Sequence, residues 1–68
     1  MQIGEIANNS RGIIRVTVSE YEGHRFIDLR IYLKDALGEY HPSREGVTLS
    51  EKTIRGIIDF LKEGSEMI

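Results

Sequence analysis

Apolar and polar residues alternate along residues 13–21 and again along residues 25–33. A period of two is typical of a strand that buries one face and exposes the other. The pattern therefore predicts two half-buried β-strands, each with an apolar row and a polar row. The apolar rows consist of Ile14, Val16 and Val18 in the first strand, and of Ile27, Leu29, Ile31 and Leu33 in the second.

Short turn signals follow each of these strands. Glu22 and Gly23 form a two-residue connection in which the glycine accepts a positive φ, which favours a β-hairpin. Residues 35–38, "DALG", begin with Asp and end with Gly, as tight turns do. Because such short turns join antiparallel neighbours, we expect an antiparallel sheet.

Two less regular segments are expected at the ends of this sheet. A short strand is predicted over about residues 2–6, followed by "ANNSRG", a linker-like segment rich in turn formers. A fourth strand is predicted within "EYHPSREGVTL", where Pro42 and Gly46 favour an edge position or a bulge.

The last predicted element is one amphipathic helix. Its apolar stripe follows the i, i+3, i+4, i+7 spacing of a helix face. We expect Ser50 to cap its start and Gly64 to end it. Gly56, inside the helix, indicates either close approach of another backbone or an exposed site that tolerates glycine. The stripe consists of Ile54, Ile57, Ile58 and Leu61.

These elements predict an α+β fold: a four-stranded antiparallel sheet followed by one C-terminal helix, in a single domain over residues 1–68. A chain this short buries only about 60% of its unfolded surface. The absence of cysteine excludes disulfides and thiolate metal sites as stabilisers. Because one helix covers only part of a sheet face, we expect a homodimer or a ligand to cover the rest.

Charge is unevenly distributed along the chain. The formal net charge of -2 argues against a uniformly basic nucleic-acid-binding protein. Residues 11–34, including Arg11, hold five basic and three acidic residues, which gives +2, whereas residues 35–68 hold four and seven, which gives -3. A basic surface is therefore expected on the first half.

The polar row of the second strand, Phe26, Asp28, Arg30 and Tyr32, is too aromatic for an ordinary solvent face. Asp28 and Arg30 form either a surface ion pair or part of a surface that binds an anion. Both interpretations are compatible, since a guanidinium carries five N–H donors. We hypothesise that Asp28 orients Arg30 while Arg30 keeps donors free for a phosphate.

Other classes of protein find little support in the sequence. No apolar run approaches the roughly 20 residues of a membrane span, and the N-terminus lacks a signal-peptide pattern, so we expect an intracellular protein without membrane contact. Metal-ligand spacings, nucleophile motifs and phosphate-binding loops are missing, so no enzyme activity and no cofactor are expected. His24 and His41 are interpreted as solvated and not as metal ligands.

Ordered motifs extend over nearly the whole chain. Strand two ends in aromatic-x-Gly, and "IDLR", Asp-x-x-Gly-Glu, Pro-x-Arg-x-Gly and Leu-Ser follow in that order. With "QIGE" near the start and the amphipathic helix at the end, the chain resembles the single-stranded-DNA-binding domain of the coactivator family called positive cofactor four. It lacks the serine-rich acidic region of the eukaryotic coactivator, so a short bacterial or phage relative is expected.

The resemblance implies four curved antiparallel strands, a helix, and a homodimer formed through helices and sheets, with a groove for single-stranded DNA on each sheet. In that family the aromatic residue that closes the second strand stacks on a base, which corresponds to Tyr21. The strand arginine after Ile-Asp-x meets the phosphate backbone, which corresponds to Arg30. The arginine after Pro-x, at the edge of the groove, corresponds to Arg44.

Further rings and cations of the chain are suited to binding single-stranded nucleic acid. Aromatic rings that stack on bases contribute roughly 1–3 kcal/mol each, and cations follow the phosphates. Phe26 and Tyr32 have an alternative role, which is packing under the helix or at a dimer interface. The alternative for Arg15 and Arg30 is a cross-strand ion pair with Glu20 or Asp28. The predicted nucleic-acid-binding residues are Arg15, Tyr21, Arg25, Arg30, Tyr32 and Arg44.

Several positions that are basic or aromatic in relatives differ here: Glu22, His24, Leu33, His41 and Glu45. We therefore expect weaker or more selective binding. The predicted function is binding of single-stranded DNA, as such or in melted duplexes, in transcription, replication or recombination, with RNA left open. The alternative is a protein-interaction module that contacts transcription or replication proteins.

Overall fold

The computed structural model describes residues 1–10 and 12–68, so that Arg11, counted above in the basic half, lies outside the described residues. The strands form one curved antiparallel sheet in chain order, and the helix follows it. This confirms the predicted α+β architecture. The elements are β1 (Gln2–Asn9), β2 (Gly12–Tyr21), β3 (His24–Lys34), β4 (Tyr40–Ser50) and α1 (Glu51–Ser65).

The β2–β3 hairpin fixes which residues share a face. Glu22 and Gly23 both have positive φ, 51° and 79°, as a two-residue hairpin turn with the twist of its strands requires. The two strands then pair without a register shift along their whole length. The predicted alternation is therefore preserved across both strands, with apolar rows on one side and polar rows on the other.

Strand β1 is longer than the sequence predicted. It continues to Asn9, with Ala7 opposite Ile13 and Asn9 opposite Gly12, so the first three residues of "ANNSRG" belong to β1 and not to a linker. The register shifts on both sides of the Gly4–Ala7 segment. Backbone pairing with β2 thus outweighs the weak strand propensity of Ala and Asn.

Strand β4 lies at the opposite edge of the sheet and contains the predicted bulge. Gly46 pairs with Arg30 and Pro42 pairs with Tyr32, so residues 43–45 all lie opposite the single residue Ile31. An edge strand accommodates Pro42 because no further strand needs its missing N–H.

Helix α1 starts where the sequence predicted and ends slightly later. Ser50 Oγ accepts the N–H of Thr53 at 3.4 Å, as an N-cap does. The predicted stop at Gly64 is wrong: the helix includes Ser65, and Glu66 closes it in a right-handed conformation by donating its N–H to Glu63 O. This closing turn needs no positive φ and hence no glycine. Among the described residues, no helix is long and apolar enough to cross a membrane.

The helix covers only one end of the apolar face. A groove of about 360 Å³ remains between helix and sheet, with Val18 and Ile27 on the sheet side and Ile54 and Ile58 on the helix side. Within the described part of the chain, Leu49 alone is a buried hydrophobic residue. Much of the apolar surface of the chain therefore remains uncovered.

Candidate nucleic-acid interface

The surface opposite the helix is formed by the polar rows of the sheet. Arg15 lies opposite Arg30, and Thr17 lies opposite Asp28. These residues alternate with the apolar row that faces α1, so they share one surface, which we call the polar face. The polar face consists of Arg15, Thr17, Ser19, Tyr21, Phe26, Asp28, Arg30, Tyr32 and Thr48.

Arg30 lies at the centre of the polar face and is held at three points. Its Nε donates to Asp28 Oδ2 at 3.1 Å and its Nη2 to Asp28 Oδ1 at 3.0 Å. Its Nη1 donates to the carbonyl oxygen of Ser43 at 3.1 Å. These bonds use three of the five N–H donors of a guanidinium, and two remain for an added acceptor.

Asp28 is bound on both sides. Its Oδ1 also accepts the hydroxyl of Thr48 at 2.9 Å. The hydrogen bond from Arg30, supported by that from Thr48, lowers the pKa of Asp28, and partial burial opposes the effect only in part. Asp28 is therefore a carboxylate at neutral pH, as its bidentate pair with Arg30 requires.

Acidification is expected to destabilise the fold through Asp28. Because folding lowers the pKa of this group, its contribution is fully present above the unfolded carboxyl pKa of about 3.9 and is lost as pH falls through the lower folded value. Thermal unfolding followed between pH 7 and pH 2.5 should show a weaker acid dependence in Asp28→Asn than in the wild type. Glu63→Gln removes the same charge from the exposed helix surface and serves as control. An unchanged acid dependence in Asp28→Asn would contradict the attribution of this acid sensitivity to the Asp28 carboxylate.

Arg15 joins strand β1 to the aromatic part of the polar face. Its Nε donates to Glu5 Oε2 at 2.9 Å, and its guanidinium lies 4.2 Å from the centre of the Tyr32 ring. The expected ion pair is therefore present, but its partner is Glu5 and not Glu20 or Asp28. Glu5 is the residue directly opposite Arg15 in the β1–β2 register.

Two aromatic residues lie at the far end of the polar face. Tyr21 closes β2 and is 70% exposed, so its ring is free to stack on a flat ligand. It lies about 20 Å from Arg15 along the strand, at roughly 3.3 Å per residue. Phe26 is half-buried, and it also borders the groove between helix and sheet beside the start of α1.

Arg25 is separated from the other candidates. It alternates with Phe26 and so lies on the helix side of the sheet, where its Nε donates to Glu51 Oε1 at 3.2 Å. Both side chains are well exposed, so this pair contributes little to stability. The structure thus places one predicted cation on the face opposite Arg30.

Arg44 stands on the bulge of β4 at the edge of the sheet. Its side chain is exposed and makes no hydrogen bond or ion pair within residues 1–10 and 12–68. An exposed guanidinium that its own chain leaves unpaired is suited to an anion from outside.

The β3–β4 turn brings together residues that sequence reasoning did not combine. Asp35 Oδ1 accepts the N–H groups of Leu37 at 2.8 Å and Glu39 at 2.9 Å, and Asp35 Oδ2 lies 2.6 Å from His41 Nε2. The bond from the Glu39 N–H is the main cause of the lowered pKa of Asp35. His41 is exposed, as expected, and in addition has Asp35 as a hydrogen-bond partner. An Asp at the first position of a turn was the signal for this arrangement.

Comparison with known proteins relates this geometry to solved structures. The model of the family described as Transcriptional Coactivator p15 (PC4) matches residues 8–59. A comparison with curated proteins finds no match.

Among solved structures, the chain is similar to a PC4 homolog from Burkholderia pseudomallei, with 25% identity, a TM-score of 0.84 and coverage of 96% of both chains. An orthorhombic crystal form of that homolog gives the same identity and TM-score, with 96% of this chain and 88% of that one covered. A bacteriophage T5 homolog of PC4, implicated in recombination-dependent DNA replication, is 26% identical, with a TM-score of 0.67 and coverage of 98% of this chain and 78% of its own.

Proposed function

The chain belongs to the family of Transcriptional Coactivator p15 (PC4), and from this premise we propose that it binds single-stranded DNA on the polar face. The observation that carries the proposal is the arrangement of Arg30. Asp28 and the Ser43 carbonyl hold its guanidinium in place, yet two N–H donors remain for a phosphate.

The other residues of the proposed site divide into rings and cations. Tyr21 offers an exposed ring for stacking on a base, and Arg44 offers a cation without an internal partner. Arg15 and Tyr32 contact each other, so they form a stacked platform that presents both charge and a flat surface. Such contacts follow the backbone and the base faces, and they favour binding without strong sequence preference.

The protein is proposed to act as a homodimer. Phe60 and Leu61 on α1 are 71% and 62% exposed, and Val47 on the sheet is 50% exposed. These residues continue the apolar surface that the helix leaves uncovered. A second copy of the chain supplies a surface of matching chemistry, and its helix then covers what α1 does not. Within the described part of the chain, a Cβ added at Gly56 would face open space beside the helix, which leaves room for a partner helix.

Binding of single-stranded DNA is useful in cellular processes that separate the strands of duplex DNA. The family takes its name from a transcriptional coactivator, and the T5 homolog is implicated in recombination-dependent DNA replication. We propose on this basis that the protein acts inside a bacterial or phage-infected cell, on DNA opened during transcription, replication or recombination. Its role is binding and not catalysis, and the proposed contacts require no cofactor.

One observation favours a second candidate function, that of a protein-interaction module. Arg15 and Arg25 are paired with Glu5 and Glu51, and the net charge is -2. A surface whose cations are neutralised by its own acids attracts a polyanion weakly. In this alternative, the exposed apolar and acidic surfaces contact a transcription or replication protein.

Fluorescence anisotropy of a labelled 20-nucleotide oligo-dT distinguishes the two functions. We expect saturable binding that weakens with salt, with a slope of about -1.4 in log Kobs against log salt for phosphate contacts by Arg30 and Arg44. Competition with oligo-U and with duplex DNA of the same length then defines the nucleic-acid class. A folded wild type that fails to bind at 50 mM salt, or that binds more tightly at 500 mM, would contradict the proposal.

A further inference from the structure

Hydrogen bonds from side chains fix the bulge of β4, residues 43–45, at both of its ends. Ser43 Oγ donates to the carbonyl oxygen of Ile31 at 2.7 Å and accepts the N–H of Glu45 at 3.1 Å. Arg30 Nη1 donates to the carbonyl oxygen of Ser43 at 3.1 Å. Three bonds therefore hold the residues on either side of Arg44, while the Arg44 side chain itself is unpaired within the described residues.

Gly46 makes this arrangement possible. A Cβ at this position would lie 2.6 Å from the carbonyl oxygen of Leu29 and 3.0 Å from Arg30 Cζ. The guanidinium of Arg30 thus lies against the backbone of β4, in space that any larger residue would occupy. The absence of a side chain at Gly46 lets Arg30 reach the Ser43 carbonyl.

We propose that the Asp28–Arg30–Ser43 network is a positioning device for Arg44. The network fixes the bulge backbone, and the fixed backbone sets where the Arg44 guanidinium meets a phosphate. The inference rests on the proposed binding of single-stranded DNA, and it assigns to Ser43, which is not among the predicted contact residues, a role in that binding.

The physical reason is conformational entropy. An arginine on a loose loop loses backbone and side-chain freedom when it binds, which weakens the contact. Ser43 and Arg30 restrict the backbone beforehand, so that only the side chain of Arg44 is ordered on binding. Ser43 therefore acts through Arg44, without touching the DNA itself, because its hydroxyl is engaged with Ile31 and Glu45.

The test is a double-mutant cycle of Ser43→Ala and Arg44→Ala, read by oligo-dT anisotropy over a salt series. Ser43→Ala is expected to weaken binding about five- to thirtyfold, the equivalent of ordering the backbone of one residue. The salt slope should fall towards that of Arg44→Ala, which loses about 0.7 relative to the wild type. In the Arg44→Ala background, Ser43→Ala should have no further effect on affinity.

Two variants separate positioning from a general structural role. Ser65→Ala removes a hydroxyl whose bond to the Lys62 carbonyl has the same length, 2.7 Å, but lies at the end of the helix, and it should bind as the wild type does. Ser43→Thr keeps the hydroxyl and should restore affinity and slope. Circular dichroism confirms that each variant is folded.

Additive effects in the cycle, or a loss of affinity in Ser43→Ala without a change in salt slope, would overturn the inference. Wild-type affinity in Ser43→Ala or in Arg44→Ala would overturn it as well, while leaving the proposed function intact. Failure of the wild type to bind oligo-dT would instead reject the proposed function, and this inference with it.

Discussion

Arg30→Ala is expected to weaken binding of single-stranded DNA by about ten- to a hundredfold. The substitution removes the two N–H donors that remain free for phosphate, and hydrogen bonds to charged groups contribute about 1.5–3 kcal/mol. It also leaves the half-buried Asp28 carboxylate without its main partner and releases the Ser43 carbonyl. Affinity for oligo-dT and thermal stability should therefore both fall.

Two variants show whether this effect comes from the polar face. Asp28→Asn keeps the Arg30 cation and loses only part of its orientation, so it should weaken binding far less than Arg30→Ala. Equal losses in both variants would remove the orienting role of Asp28. Arg25→Ala removes the same charge from the helix side of the sheet. If Arg25→Ala weakens binding as strongly as Arg30→Ala, the binding surface is not the polar face.

Leu61→Glu is expected to dissociate the proposed homodimer and to lower the stability of the fold. Leu61 is 62% exposed in the isolated chain, and burial of a leucine in an interface contributes about 1.5–3 kcal/mol for each copy. A glutamate at this position would bring an unpaired charge into the interface. Because the described chain has a single buried hydrophobic residue, Leu49, loss of the partner leaves very little core.

Sedimentation velocity and thermal unfolding at several protein concentrations measure this effect. The wild type should sediment as a dimer, and its Tm should rise with concentration, whereas Leu61→Glu should be monomeric with a lower Tm. Lys62→Gln changes the net charge by the same amount on the neighbouring polar side of α1, and it should remain dimeric. A monomeric wild type with a concentration-independent Tm would contradict the proposed dimer.

The faces of the sheet could be predicted because strand geometry is simple. A period of two assigns each side chain to a face, and the Glu22–Gly23 turn fixes the register of β2 and β3. The same period places Arg25 and Arg30 on opposite faces of the sheet. The two residues were grouped in one predicted site because both are cations, although the alternation separates them. The extension of β1 to Asn9 and the pairing of Arg15 with Glu5 were harder to predict from the sequence. Bulges shift the β1–β2 register, and the sequence does not specify where they occur.

Contacts that cross the sheet could not be derived from local pattern. Pro42 and Gly46 indicated a bulge in β4, but not that three residues would lie opposite Ile31. The hydrogen bond from Arg30 Nη1 to the Ser43 carbonyl depends on the number of residues in the bulge, since this number determines which carbonyl comes within reach of the guanidinium. The pairing of Asp28 with Arg30, two positions apart on one face, was by contrast visible in the sequence.

Amide chemical-shift mapping of the labelled wild-type protein with oligo-dT tests the central claim most directly. If single-stranded DNA binds the polar face, the largest shifts should lie along the polar rows of β2 and β3 and at residues 43–46 of the bulge. Residues 54–61 of the helix should shift little. Shifts confined to the helix, or no saturable shifts at low salt, would contradict the account.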